Sequence, residues 1–559
     1  MEYLETAIEA VIQKVFGHEA LVILTRPDEK FGDYATNVAL QLAKPFGKNP
    51  REIGETLAAE LRTQLSETVQ EVSVAGPGFI NLRLTDAALA ALATAAPGYK
   101  PSTYKDQVVV AEYSDPNPFK VLHAGHLYTS VVGDALANLF MAAGGEVHRV
   151  NFGGDVGLHV GKTMWAILQE LGGEHPEKLD AIAPEQHAEW MAARYVIGTA
   201  AYEDDEAAKA EIVELNKRVY QIQAEGDHDT PLAHIYWTCR AWSYDYFNQF
   251  YARIGTKFEK YYPESEVAGL GLQTVREQLK NGVYSESAGA VVFEGEKYGL
   301  HTRVFINSHG IPTYEAKDVG LIMQKWQDYH FDASVVITGN DIVEYMKVVL
   351  KSIEQFHPEL VKKTVHLTHG QVKLAGGVKM SSRKGNILRA VDVLDAAAAA
   401  NKELTGQESE QTMLAAVKYS FLKQRLGDDI IYDPKESVSL EGNSGPYLQY
   451  AHARARSVLR KSSLQPAALT ESPLDAAERS LARKISEYPE VLDRAVAGLI
   501  PHHICTYLYE LAQSFNRFYE HNRVVGDARE RLRLGLVARY ADTLKAGLEV
   551  LGITTPERM

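Results

Sequence analysis

Apolar positions along the chain change period at a few points, and those changes mark the elements. Leu4, Ile8, Val11, Ile12 and Val15 recur at helix spacing and predict an amphipathic helix over Met1–Phe16. A strand is expected at Ala20–Leu24. Phe31–Asn37 then leads into a second helix ending near Gly47, and Pro50–Leu65 predicts a third. Gln70–Val74 and Phe79–Leu84 alternate around Gly76-Pro77-Gly78 as a hairpin would. Together these predict a compact α+β domain over residues 1–100, with Pro97–Asp106 as a linker.

The period then changes twice in quick succession. Val108–Tyr113 is apolar enough for a buried strand, and Pro116 and Pro118 forbid a regular element after it. From Ala124, Leu127, Val131, Ala135, Leu139 and Phe140 recur at helix spacing until Gly144-Gly145. Val147–Phe152 is a second strand, followed by Gly153-Gly-Asp-Val-Gly157 and another helix. Strand, helix, strand is the unit of a parallel sheet with a right-handed crossover. Helical, charged stretches over about 170–265 predict an insertion between the halves of the sheet. Asp332–Thr338 and Val365–Val372 are further strands, with a helix to Phe356 between them. From Asp392 the chain is helical. Leu440–Tyr447 reads as a loop and Tyr450–Arg460 as a helix. His503–Asn522 carries Leu508, Leu511, Phe515 and Phe518 on one side, which suits a bundle from about residue 441.

Composition narrows the class. The chain has 559 residues, 45% hydrophobic and 23% charged, enough for about three domains with substantial cores. No apolar run reaches membrane length, and Met-Glu-Tyr-Leu-Glu is no signal peptide, so a cytoplasmic protein is expected. Two cysteines, Cys239 and Cys505, exclude a disulfide framework and carry no metal spacing. The net charge of −15 argues weakly against a nucleic-acid partner, but it is uneven. Residues 441–559 hold 16 Lys/Arg and 14 Asp/Glu, a net of +2, and the rest carries −17. A basic face on that segment can still bind phosphates, because electrostatics act through patches.

Two stretches carry chemistry. His123 and His126 fall at a strand-to-helix junction, three apart and so on one face. A helix start offers free N–H groups and a positive dipole end, so two imidazoles there make a phosphate site. Zinc is disfavoured because neither a cysteine nor a third histidine lies near. The missing side chain of Gly125 would let a flat purine ring approach the backbone. The second stretch, Lys379-Met-Ser-Ser-Arg-Lys-Gly-Asn386, follows a strand and Gly376-Gly377. Its cations Lys379, Arg383 and Lys384 suit either a solvated loop or a mobile phosphate clamp, and its place in the later half of the sheet favours the clamp.

These stretches resemble the signatures of a known class. His123-Ala-Gly-His126 resembles the His-Ile-Gly-His motif of class I aminoacyl-tRNA synthetases, and Lys379-Met-Ser-Ser-Arg383 their Lys-Met-Ser-Lys-Ser motif. Ser114–Gly133, Pro312–Asp318, Ser444–Arg454 and the tail to Met559 resemble one family in particular, the arginyl-tRNA synthetases.

The resemblance implies a multidomain α/β protein. A Rossmann-like catalytic domain would occupy 101–390, preceded by an α+β domain (1–100) that contacts the tRNA elbow. An all-α region (391–559) would follow, with an anticodon-binding bundle from about 441. It implies ATP-dependent activation of L-arginine to arginyl-adenylate, then transfer to the 3′-terminal adenosine of tRNA-Arg. Mg²⁺ would accompany ATP, no zinc is involved, and the first step would need bound tRNA. Lys120, His123 and His126 would hold the phosphates, with Gly125 and Met380 also in the ATP site, while Lys379 and Lys384 close over them. Glu112, Asn117, Tyr314, Asp318 and Asn340 would bind arginine. A guanidinium has five donors and keeps its proton, so it needs acceptors, preferably carboxylates. The competing reading of Asp318 is an ordinary pair with Lys317 or Lys325. Ala124 and Ser382 depart from the family motifs, and Ser382 leaves Lys384 to supply the charge of the second lysine. A monomer, with no membrane association, is expected. Rival readings are another class I synthetase, a synthetase-like RNA-binding protein without catalysis, and a simple nucleotidyltransferase.

Overall fold

The computed structural model describes residues 2–375 and 388–559. Lys379, Met380, Ser382, Arg383 and Lys384 therefore lie outside the described residues. The centre is a five-stranded parallel sheet: β1 (Val108–Glu112), β2 (Glu146–Gly153), β3 (Lys260–Pro263), β4 (Ala333–Gly339) and β5 (Thr364–His369), in the order β5-β4-β1-β2-β3. The expected Rossmann-like sheet is present. The chain winds outward from β1 to β3, then returns to the other side of β1 to lay down β4 and β5. That reversal opens a crevice beyond the C-terminal ends of β1 and β4, where doubly wound sheets bind ligands.

Helix α1 (Ala124–Ala142) crosses from β1 to β2. It lies close to the sheet because Gly133 has no Cβ, which would sit 2.1 Å from the ring of Tyr113. The Tyr113 hydroxyl donates to Asp134 at 2.7 Å, which satisfies both buried groups. After β2 and α2 (Leu158–Leu171), helices at His187–Asp204, Glu206–Glu225 and Pro231–Ile254 form a lobe with its own core around Val160, Met164, Val219 and Tyr236. The chain rejoins the sheet at β3. Three further helices complete the frame of the crevice: α3 (Glu264–Lys280), α4 (Tyr314–Tyr329) and α5 (Val343–Glu354).

Four local expectations differ from what is found. Ala20–Leu24 is not a strand among the described residues, although Val22 and Leu24 are buried and Leu21 and Ile23 exposed. Its alternation is real, but the N–H groups of Val22 and Leu24 donate to Glu9 and Glu5 of the first helix instead of a ladder. The run Val365–Val372 divides. Gly370, whose Cβ would lie 2.3 Å from the Asp428 carbonyl oxygen, lets the chain leave the sheet, and Val372–Leu374 pairs with Ile430–Tyr432. The helix expected from Tyr450 begins at Gly445, where Ser444 caps the Tyr447 N–H at 3.1 Å and Pro446 occupies the first turn. A small antiparallel sheet of Ser285–Ser287, Ala290–Phe293 and Arg303–Ile306 was not anticipated, since strands of three or four residues barely show a period.

The N-terminal domain packs on the C-terminal helices. Helix Asp86–Ala95 lies against Ala476–Ile485, and their apolar residues belong to one continuous cluster. Arg479, nearly buried, donates to Asp33 at 2.5 Å, Asp86 at 2.6 Å and the Leu84 carbonyl at 3.0 Å. Arg26 pairs with Glu490 at 2.8 Å, and the Tyr34 hydroxyl donates to the same carboxylate. Removing one partner of a buried pair leaves the other charge uncompensated and costs about 3–5 kcal/mol. Arg479→Met is expected to lose stability on that scale. Denaturant unfolding of the variant beside wild type, with Asp33→Asn as a matched control, checks it.

Candidate active site

A cleft of about 840 Å³ opens at the switch between β1 and β4. Its wall includes Glu112, Asn117, His123, Gly125, His126, Tyr314, Asp318 and Asn340, so the structure gathers these expected site residues in one place. Lys120 is near but not on the wall; its ammonium lies 4.6 Å from the centre of the Tyr195 ring, on a helix of the inserted lobe.

The two histidines start α1 by capping each other. His123 is the N-cap residue, and its Nδ1 accepts the His126 N–H at 3.3 Å, while Nδ1 of His126 accepts the His123 N–H at 3.1 Å. This is a capping box built from imidazoles. With both Nδ1 atoms accepting, a neutral ring must carry its proton on Nε2. Burial, with Lys120 adding, pushes His123 down to about 4, and burial pushes His126 well below the ordinary histidine range. Both rings are neutral near pH 7 and present Nε2–H donors, which no other described residue takes up. The rings stack, centres 3.7 Å apart.

Gly125 makes that stack possible. A Cβ there would meet Cε1 and Nδ1 of His123 at 2.8 Å. The space expected to admit a purine ring is thus needed first by His123 itself. Gly125→Ala is expected to displace the ring and lower the rate of adenylate formation about 100-fold, the effect of misplacing a reacting group by an ångström. Single-turnover kinetics, with the ATP dissociation constant measured separately, checks this.

The flanks of the second signature are tied to the first. Leu388 accepts the Ala124 N–H at 2.8 Å, and Ala390 donates to Leu122 at 2.9 Å, an antiparallel bridge between His123 and Arg389. Residues 388–390 are thus bonded to the backbone that begins α1.

The acidic wall shows which carboxylates already have partners. Glu112 pairs with Lys325, and both are buried, with Ser334 also accepting from the lysine. Glu264 pairs with Lys317 at 2.6 Å, and the Tyr220 hydroxyl accepts from the same ammonium at 3.0 Å. The two lysines that could have neutralised Asp318 are therefore committed elsewhere. Asp318 is buried, accepts a hydrogen bond from the Tyr345 hydroxyl, and has no ion pair among the described residues. Burial first, then the charges of Glu112 and Glu264, raise it to about 7 against the opposing Tyr345 bond. Asp115, which accepts the Phe152 N–H at 2.8 Å, is raised well above the ordinary range by burial and Glu112.

The remaining expected residues divide by what they can offer. Asn117 accepts the Gly154 N–H through Oδ1 at 2.9 Å, which leaves its amide NH₂ as a donor, suited to a carboxylate or phosphate oxygen. Tyr314 is exposed at the first turn of α4, one turn from Asp318, with the Lys317 ammonium 5.2 Å from its ring centre. Asn340 stands exposed at the end of β4. The sequence reading missed Glu264, Arg303 and Tyr345, all on the cleft wall. Glu264 follows a strand and begins a helix, the same kind of junction as His123, and that was the available signal. Among the described residues no group of three or more His, Cys, Asp or Glu side chains is arranged to hold a metal ion.

A parallel sheet reversing at β1 and β4, with a His-x-Gly-His cap at the reversal, matches the class I aminoacyl-tRNA synthetases. The family model "tRNA synthetases class I (R), catalytic domain" matches residues 89–430, "Arginyl tRNA synthetase N terminal domain" matches 2–84, and "DALR anticodon binding domain" matches 448–559. The chain belongs to the arginyl-tRNA synthetase family. It is 29% identical to an arginine–tRNA ligase of Porphyromonas gingivalis, covering 100% of both chains, and 28% identical to one of Bacteroides fragilis, covering 100% of this chain and 99% of that one. In structure it is similar to Thermus thermophilus arginyl-tRNA synthetase, with a TM-score of 0.81, 26% identity and full coverage of both chains. It also shares the fold of the Plasmodium falciparum enzyme, with a TM-score of 0.79, 21% identity and coverage of 100% and 99%.

Proposed function

We propose that this cleft performs the arginine–tRNA ligase reaction of the family, and that Asp318 selects the amino acid. The observation that carries the reading is the buried Asp318 carboxylate, which has no ion pair among the described residues. Among the described residues Glu112 pairs with Lys325, Glu264 with Lys317 and Arg303 with Glu315 at 3.0 Å, while the carboxyl groups of Asp115 and Asp318 have no ion pair. L-arginine brings two cations, its guanidinium and its α-ammonium, to this acidic wall. Glu112 and Tyr314 flank the guanidinium, and Asn117 and Asn340 complete the amino-acid site.

ATP lies at the start of α1. Lys120, His123, Gly125, His126 and Met380 contribute to its site, and Mg²⁺ enters with the nucleotide. A carboxylate oxygen of arginine attacks the α-phosphorus, the bond to the β-phosphate bridge breaks, and pyrophosphate leaves. The Nε2–H donors of His123 and His126 meet the charge that develops on phosphate oxygens, where fixed donors are most effective. Lys379 and Lys384 supply cations to the leaving pyrophosphate. A ribose hydroxyl of the terminal adenosine then attacks the arginyl carbonyl and AMP departs.

Residues 1–100 contact the tRNA elbow, and the helices from about 441 hold the anticodon stem. No described helix is long and apolar enough to cross a membrane. A cytoplasmic monomer suits the reaction. Aminoacylation of total tRNA with each labelled amino acid tests the reading. Charging with arginine alone supports it, and charging with lysine, cysteine or any other amino acid in its place refutes it.

A further inference from the structure

Asp318 receives its hydrogen bond from Tyr345, a residue on a different helix. Tyr345 sits in the first turn of α5, directly after the break that ends β4, and its hydroxyl reaches across to Asp318 Oδ2 on α4. The other side of the contact is also fixed. The Arg303 guanidinium lies 5.3 Å from the centre of the Tyr345 ring and is itself anchored to Glu315 at 3.0 Å. Three elements thus converge: the strand Arg303–Ile306 supplies a cation over the ring, α5 supplies the phenol, and α4 supplies the carboxylate. All three side chains line the cleft.

A phenol at one carboxylate oxygen does two things. It restrains the carboxyl group through Oδ2 and leaves Oδ1 without a hydrogen-bond partner among the described residues. It also favours the ionised form in a pocket where most neighbours oppose it. Around Asp318, Glu112 comes from β1, Asp115 from the loop after β1 and Glu264 from α3; all three are acids. Lys325, two turns along the same face of α4, lowers the Asp318 value by its charge but is paired with Glu112. Among the described residues the Tyr345 hydroxyl is the neutral group that supports the charge by a direct hydrogen bond.

We propose that Tyr345 is a positioning residue for amino-acid specificity: its hydroxyl holds the Asp318 carboxylate in the orientation that receives the substrate guanidinium. Arg303 keeps the ring in place. Tyr345 touches no reacting atom and acts only through Asp318, so the inference rests on the arginine pocket described above.

The test is Tyr345→Phe, which keeps the ring and its stacking and removes one oxygen, compared with Asp318→Asn. Steady-state pyrophosphate exchange with tRNA present is measured against arginine, ATP and pH. Hydrogen bonds to charged groups are among the stronger ones, and losing one should raise KM for arginine about 10- to 100-fold. KM for ATP should stay within twofold, which also shows that the variant is folded. The acid limb of kcat/KM for arginine should move to higher pH by about one unit, since the carboxylate loses a stabilising donor. A merely structural role would lower kcat and raise both KM values together, and that result overturns the proposal. Unchanged KM and pH limb in Tyr345→Phe, with KM raised in Asp318→Asn, also overturns it while leaving the pocket intact. If neither variant affects KM for arginine, the pocket reading itself falls.

Discussion

Asp318→Asn should raise KM for arginine about 30- to 5,000-fold and leave KM for ATP nearly unchanged. The substitution keeps size and shape and removes the charge. Losing one member of a buried charge pair costs about 2–5 kcal/mol, and each 1.4 kcal/mol is about tenfold. The upper part of the range is favoured because Glu264 and Glu112, the acids that could take over the guanidinium, are already paired with Lys317 and Lys325. The same carboxylate predicts a pH dependence. With its value raised to about 7, the free enzyme holds Asp318 protonated below that pH and ionised above it. Only the ionised form attracts a guanidinium, so kcat/KM for arginine falls as pH drops through about 7 and is level above it. Arginine itself does not titrate in that window. The Asn variant should lack this limb.

His126→Asn should lower kcat for adenylate formation about 100- to 1,000-fold with little loss of stability, the cost of removing one preorganised donor to developing charge. Asparagine Oδ1 can still accept the His123 N–H, so the cap of α1 survives, while the Nε2–H donor is lost. The variant thus separates a structural role from a catalytic one. The neutral state of both rings adds a second expectation. Because burial holds His123 near 4 and His126 well below the ordinary histidine range, the kcat profile of wild type should show no imidazole titration between pH 6 and 8. A histidine limb in that range would mean that a cationic imidazole holds the phosphates, contrary to the hydrogen bonds at both Nδ1 atoms.

Much of this was legible from the sequence where the cause is local. The strand Val108–Glu112, the helix from Ala124 and the place of the histidines at the junction between them all follow from neighbouring residues, and the structure places them where the pattern does, adding that the two rings cap the helix. The apolar runs Val108–Ala111 and Val335–Ile337 suit strands inside a parallel sheet, where β1 and β4 lie, but they do not set the register between them. What sequence could not supply is pairing across elements. Whether Lys325 serves Asp318 or Glu112 depends on how α4 sits over β1, and spacing along α4 alone suggested the wrong partner as readily as none. Tyr345 was invisible for the same reason, since it matters only for the side chain it meets on another element, and Glu264 showed only as the start of a helix after a strand. Gly125 was recognised as necessary, but the ring that needs the space proved to be His123. Gly370 was passed over inside an apolar run, although it is the point at which the chain leaves the sheet.

The central claim, that an unpaired buried carboxylate selects arginine by charge, is tested most directly with citrulline, which matches arginine in shape and lacks the positive charge. Binding of arginine and citrulline to wild type and to Asp318→Asn is measured by calorimetry with tRNA present. The account predicts that wild type prefers arginine by at least the same 30-fold expected for the lost charge pair, and that Asp318→Asn removes most of that preference. Equal preference for arginine in the two proteins would contradict it.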